Sequence, residues 1–269
     1  MTFENKLYWP GSVAKFSIAN QIYKIAKASS APIVAADLGA GMGGDWPKLV
    51  EDLPNLTIHL WEPHTPTAKA LAKLCSSNRF QVHVDLPEMT GVADIGTSLS
   101  VLEHVRNIDE HFRQADKVLK LGGQFFMNFD DGHFRYEAKN VFAPNNFVLP
   151  IKESVRTLIS KYFPTLIPVN KYQKRVLVKD FKNACAKSPL VLERIECSQL
   201  PSIKGVAKLF KEPEMQLPFL NLWLNFENEI QNLIRKENGD KAEEIIWDLL
   251  PTRTAIFRKT NSEINLPVR

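Results

Sequence analysis

The sequence predicts an α/β fold: a seven-stranded, mostly parallel sheet with helices on both faces, an N-terminal helical cap and helical lid insertions. Three observations predict it. Short apolar runs of strand length alternate with amphipathic stretches of helix length through the first half of the chain. The first of these runs leads at once into a glycine cluster and a further helix, in "VAADLGAGMGG" at 34–44, the layout in which parallel sheets place ligands above their carboxyl ends. With 269 residues and 44% hydrophobic content, the chain can bury one full core and still supply a lid or small second lobe.

The elements follow in order. Residues 9–29 open on Pro-Gly-Ser and space Val13, Phe16, Ile18, Ile22, Ile25 and Ala26 as one helical face. "PIVAADLG" (32–39) is apolar enough for a fully buried strand. A helix after the glycines, a second strand in "NLTIHLWEP" (55–63) and a helix opening on Thr65-Pro66 complete the next unit. "FQVHVD" (80–85), "VADIGTSLS" (92–100) and "GGQFFMNFDD" (122–131) are further strands, the last two separated by a single helix over 101–121. In the second half, 151–163 and "VKDFKNACAKS" read as helices and "PLVLERIECSQL" as the sixth strand. Two or three helices over 202–250 and a seventh strand at 253–260 then follow. Strand and helix in alternation mean a parallel sheet wrapped on both sides.

Composition excludes several classes. No apolar run approaches the roughly 18 residues that span a bilayer, and the N-terminal stretch lacks a signal-peptide layout, so a cytoplasmic protein is expected. Cys75, Cys185 and Cys197 are odd in number and widely spaced. They indicate buried thiols, with neither a disulfide framework nor a zinc site. The net charge of +4 is regional: residues 151–211 hold thirteen Lys or Arg against four acids, a balance of +9, so the remainder carries −5. Such a stretch is either a solvated surface or a field that draws in an anionic substrate.

The glycine turn reads two ways. Gly39, Gly41 and Gly44 fit G-x-G-x-x-G, while Gly39, Gly41 and Gly43 fit G-x-G-x-G, and either match alone is weak. A dinucleotide would lay its pyrophosphate on the helix N-terminus. Asp37 and Asp45 would crowd that phosphate, whereas a ligand bearing a cationic amine or sulfonium tolerates them better. Asp45 is also an ordinary first-turn acid.

"DLGAGMGG" resembles the first motif of the class I S-adenosylmethionine-dependent methyltransferases, whose D/E-x-G-x-G-x-G loop binds the amino-acid part of the cofactor. "VLEHV" at 101–105 and the L-x-x-G-G turn before strand five are similar to the same family. The resemblance covers roughly residues 33–131, with 176–200 and 253–260 matching as topology only, and it implies a Rossmann-like core. It implies that Asp37, Gly39, Ala40 and Gly41 hold the cofactor's amino-acid end. Glu62, beside Pro63, takes both ribose hydroxyls, although a NAD enzyme also wants an acid near that distance. It further implies that Asp85 receives the adenine amino group or merely caps a loop, with Leu86 an apolar contact and Ser100 at the end of strand four. Ser100 stands where a metal-holding subgroup has Glu, so no metal is expected.

The chemistry implied is displacement at a sulfonium methyl by an O or N atom of a small molecule, an anionic one if the basic stretch steers it. An alcohol or protonated amine needs a general base. His104, near the pocket mouth, is the first candidate, and it is equally readable as a packing histidine. Asp130, Asp131 and His133 form the second polar cluster, which a plain turn also explains. Tyr8 and Trp9 either close over the cofactor or pack in the cap. Trp223, Phe226, Phe219 and Trp247 divide between lid core and pocket wall. The division that follows is a helical cap at 1–30, a cofactor-binding core at 31–136 and a lid insertion at 137–175. Core resumes at 176–200, a helical lid spans 201–251, and 252–269 is the last strand and tail. An idle cofactor-fold module serving a partner, or a methyltransferase acting on protein or RNA, is the alternative. "SLSV" at 98–101 lacks the N-P-P-Y-like tetrapeptide of amino-group base methylation, and no DNA partner is expected.

Overall fold

The computed structural model describes residues 8–9, 12–85, 90–130, 176–198, 209–210, 212–250 and 252–260. Seven strands form one sheet: β1 (Ile33–Leu38), β2 (Leu56–Trp61), β3 (Phe80–His83), β4 (Ala93–Leu99), β5 (Leu119–Asp130), β6 (Leu190–Ser198) and β7 (Thr252–Lys259). Their order is 3-2-1-4-5-7-6. Only β7 runs antiparallel to its neighbours β5 and β6. The mostly parallel α/β prediction therefore holds, and the predicted helix at 151–163 lies outside the described residues.

Helices cover both faces because both faces are apolar. On one side, α1 (Val13–Ala28) and α2 (Trp46–Asp52) bury Ile18, Ile22, Trp46 and Leu49 against Leu56, Ile58 and Leu60 of β2. Leu71 of α3 (Thr65–Leu74) joins the same core. On the other, α4 (Ile108–Val118), α5 (Val178–Lys187) and α7 (Ala242–Leu249) pack Phe112, Phe181 and Trp247 against Phe129 and Phe257. Burial of each such ring is worth about 1.5–3 kcal/mol, so these two cores account for most of the attraction that orders the layers. The long α6 (Pro213–Asn238) sets Leu217 and Leu220 on Val13 and Phe16, which fixes the start of α1. No helix among the described residues is long and apolar enough to cross a membrane.

The single helix predicted over 101–121 is corrected to two pieces. A 3₁₀ turn at Leu102–His104 ends on the extended Val105, and α4 starts afresh. Asn107 is the reason: its side-chain oxygen accepts the Glu110 amide at 3.1 Å as an N-cap. Leu119 to Leu121, read from sequence as the end of that helix, are the first residues of β5. Strand three is likewise shorter than predicted, with Val84 and Asp85 in a bend after His83.

One buried histidine sets an acid limit on this fold. His111 of α4 shares a 2.8 Å hydrogen bond with the Ser98 hydroxyl, and burial pushes its pKa down to about 4 from 6.5. A depressed histidine stabilises the fold above its unfolded pKa, and that stability is lost as pH falls through the folded value. Acidification from pH 6.5 toward 4 should therefore cost on the order of 3 kcal/mol through this group. Thermal melts of His111→Gln across that window are expected to show the shallower acid slope, and an unchanged slope would remove His111 as the cause.

Candidate functional site

In the sheet order, β1 has β2 on one side and β4 on the other, so the chain leaves these two strands in opposite directions. A crevice opens between the loops at such a switch point. The described cavity lies there. It holds about 300 Å³ and is lined by the turn from Gly39 to Gly44, by Asp37 beneath it, by Leu99 and Ser100 after β4, and by Trp9, Lys15 and Trp46.

Two glycines show what the turn requires. Gly39 has φ +86, and a β-carbon there would lie 2.8 Å from the Val101 side chain. Gly41 has φ +56, but a β-carbon would meet nothing within 4 Å. The first glycine is needed for packing, the second for a left-handed turn beside open cavity space.

The amides of the turn decide what it can hold. Gly39 and Ala40 both donate to the Trp61 carbonyl at 2.9 Å, and Gly41 donates to Glu62 Oε2 at 2.9 Å. Gly43 donates to the Ala40 carbonyl, and Trp46, the first residue of α2, donates to the Gly43 carbonyl. The next position is Pro47, which has no amide proton. An anion cradle needs free, convergent N–H groups. Those of Gly39, Ala40, Gly41, Gly43 and Trp46 are spent inside the protein, which leaves fewer for a pyrophosphate.

Asp37 forms the cavity floor. It is 2% exposed, and its carboxylate accepts Trp46 Nε1 and Thr97 Oγ1, each at 2.7 Å. Burial raises its pKa to about 6, against the lowering effect of those two bonds and of the nearby Lys15 charge. A carboxylate held that high gains from a cationic ligand, which would favour its ionised form. Lys15 reaches the same cavity from the first turn of α1, whose N-cap Ser12 accepts the Lys15 amide at 3.3 Å. A buried carboxylate and a lysine thus line the same cavity.

Around this centre the predicted residues separate. Ala40 and Ser100 line the cavity with Asp37, Gly39 and Gly41. Glu62 lies below the turn, its second oxygen accepting the His64 amide at 2.9 Å, so its carboxylate ties β2 to both the glycine turn and the start of α3. Pro63 and Asp85 are exposed, and neither is in the cavity lining. His104 is half-buried at the end of the 3₁₀ turn, four residues beyond Ser100 and outside the lining. Asp45 does not crowd the ligand space, because its carboxylate accepts the Trp9 backbone amide. Trp9 then lies over Gly44 and meets the Trp46 ring edge-on at 5.4 Å, while Tyr8 is buried and donates to Asp52. Leu86, Asp131 and His133 lie outside the described residues.

The fold is similar to that of several solved structures. A candidate sarcosine dimethylglycine methyltransferase from Galdieria sulphuraria superposes with a TM-score of 0.52 at 15% identity, over 96% of this chain and 94% of that one. The phosphoethanolamine N-methyltransferase 2 of Haemonchus contortus, solved with phosphomonomethylethanolamine and S-adenosylhomocysteine, gives 0.51 at 14% identity, over 91% of this chain and 53% of its own length. The fold is that of the class I methyltransferases. A geranyl diphosphate methyltransferase, solved with its substrate and sinefungin, shares this methyltransferase fold with a TM-score of 0.50 at 13% identity, over 91% of this chain and 78% of that one. No protein-family model matches the chain, and no curated protein matches it by sequence.

Lys15, Trp46, Thr97 and Leu99 belong to the site and were not singled out from sequence. Trp46 and Thr97 carry a weak signal, as polar-tipped residues flanking otherwise apolar segments. Nothing in the periodicity of α1 marks Lys15, because its place depends on which sheet edge the helix start overhangs.

Nine of the thirteen basic residues at 151–211 lie outside the described residues. Of the four others, Lys187 pairs with Asp109 at 3.4 Å and Arg194 with Glu196 at 2.9 Å.

Proposed function

We propose that this chain is an S-adenosylmethionine-dependent methyltransferase that acts on an O or N atom of a small molecule. The observation that carries the reading is that Asp37 and Lys15 line one cavity with a glycine turn, four of whose amides are already used inside the protein. A carboxylate floor and an ammonium wall complement a zwitterionic amino-acid group, and the use of four turn amides inside the protein disfavours a dinucleotide. The fold supports the same reading, since the Haemonchus contortus enzyme of this fold was solved with S-adenosylhomocysteine.

When bound, the cofactor supplies a methyl group on a sulfonium, open to in-line attack by an acceptor's lone pair. This chain's residues do the rest. Asp37 favours the ligand's positive charge, and Lys15 its carboxylate. Each Glu62 oxygen already accepts one amide and keeps a second lone pair for the ribose hydroxyls. Trp9 and Trp46 wall the cavity. In this reading Asp85 and Leu86 stand toward the adenine end. Where the acceptor is an alcohol or a protonated amine, His104 or His133 is the general base. Much of the rate then comes from alignment. An anionic acceptor fits the basic balance of residues 151–211, with 137–175 and 201–251 as the lid.

Transfer of labelled methyl from S-adenosylmethionine to a panel of small amines, phenols and carboxylates tests the activity; a panel without any labelled product would contradict it. Lys15→Met separates the amino-acid contact from the rest of the site. It is expected to weaken S-adenosylhomocysteine by about tenfold to hundredfold, the worth of a charge-assisted hydrogen bond. Binding of 5′-methylthioadenosine, which keeps nucleoside and sulfur but lacks the amino-acid group, should not change. Equal losses for both ligands would place Lys15 elsewhere.

A further inference from the structure

Ser100 and Trp9 are the two non-glycine residues with positive φ among the described residues, and Ser100, at φ +61, stands in the cavity wall immediately after β4. Residues other than glycine stay in this region only where their surroundings over-determine it. The surroundings here include the backbone and the side chain of one residue, Asn128. We propose that Asn128 of β5 is a positioning residue that clamps Ser100 in its left-handed conformation and so shapes the cofactor side of the cavity. The inference rests on the functional reading above only for what the cavity binds.

The clamp has three points of contact. The Ser100 amide donates to the Asn128 carbonyl at 2.7 Å, which extends the β4–β5 ladder one residue past Leu99. The Ser100 hydroxyl donates to Asn128 Oδ1 at 3.3 Å. Asn128 Nδ2 donates to the Arg253 carbonyl of β7 at 3.1 Å. Because Oδ1 faces a donor and Nδ2 an acceptor, a flipped amide would set Oδ1 against the Arg253 carbonyl, and the side chain has one orientation. Asn128 is 1% exposed, so neither end has water as a substitute. The antiparallel strand thus reaches across β5 to the turn after β4: Arg253 fixes Asn128, and Asn128 fixes Ser100. The Arg253 backbone is itself fixed by pairing with Phe129 on one side and Cys197 on the other.

A double-mutant cycle tests the clamp. Glycine enters the left-handed region without a side-chain penalty. If Asn128 exists to hold Ser100 there, Ser100→Gly makes the clamp dispensable. Asn128→Ala alone is expected to weaken S-adenosylhomocysteine by about tenfold, while Asn128→Ala with Ser100→Gly should bind within about threefold of Ser100→Gly alone. Thermal midpoints, read without ligand, should show the same coupling, with a smaller loss from Asn128→Ala in the glycine background. Equal losses in both backgrounds, by both readouts, would make Asn128 a plain buried amide and overturn the proposal. If wild type does not bind S-adenosylhomocysteine, the functional reading fails, and the ligand-free midpoints still decide the clamp.

Discussion

Asp37→Asn is expected to weaken binding of S-adenosylmethionine by about a hundredfold at pH 8, near 2.7 kcal/mol, while leaving the protein at least as stable. The two effects part because the charge serves the ligand at the fold's expense. Asp37 is buried, with its pKa raised to about 6 from 3.8. For an acid raised in the folded state, the stabilising contribution is present below the unfolded pKa and lost as pH rises through the folded one. At pH 8 the ionised group therefore costs on the order of 3 kcal/mol. Asparagine removes that cost and still accepts the Trp46 indole proton, while its amide can donate to the Thr97 hydroxyl. Asp37→Ala differs: it strands both partners at about 1–3 kcal/mol each, so it should lose binding and stability together. The pH profile gives an independent check. Wild-type affinity for a cationic ligand should tighten as pH rises toward 6 and level off above it, and the asparagine variant should show no such rise. The Asp37 slope opposes that of His111 between pH 4 and 6, so Asp37→Asn should also expose the acid loss due to His111 in thermal melts. A stability loss in Asp37→Asn at pH 8 as large as in Asp37→Ala would contradict this account.

The second large effect contrasts two glycines of one turn. Gly39→Ala is expected to destabilise the fold by about 2–4 kcal/mol, because it adds left-handed strain to overlap with Val101. Gly41→Ala carries the strain alone, about 1 kcal/mol. Its new methyl group enters open space at the cavity, so it should cost tenfold or more in ligand affinity, a larger effect on binding than on folding. Chemical denaturation and calorimetric titration of both variants separate these outcomes. Equal profiles for the two would mean that the turn has no packing side and ligand side.

The sheet was legible in the sequence because buried parallel strands are continuous apolar runs, and "PIVAADLG" or "GGQFFMNF" leaves little choice of period. The helix over 101–121 was misread for a related reason. Leu119 and Leu121 continue the helical spacing of α4 by eye, and only the cap at Asn107 and the pairing of β5 reveal the break. In the site, the glycines and Asp37 were legible because one short segment carries them all. Of the two readings of Asp45, the acid at the helix start holds, while its partner, the Trp9 amide, lies 36 residues away and has no local signal. Lys15 and Asn128 were not legible, as their roles depend on helix placement and on a strand order that no local pattern encodes.

The most direct test of the central claim is calorimetric titration of the wild-type protein with S-adenosylmethionine, S-adenosylhomocysteine and NADH side by side. The account predicts binding of the two sulfur nucleotides and no heat with NADH, because the cavity is proposed to take a zwitterionic group and four of the turn's amides are already used inside the protein. Binding of NADH, or no binding of either sulfur nucleotide, would contradict it.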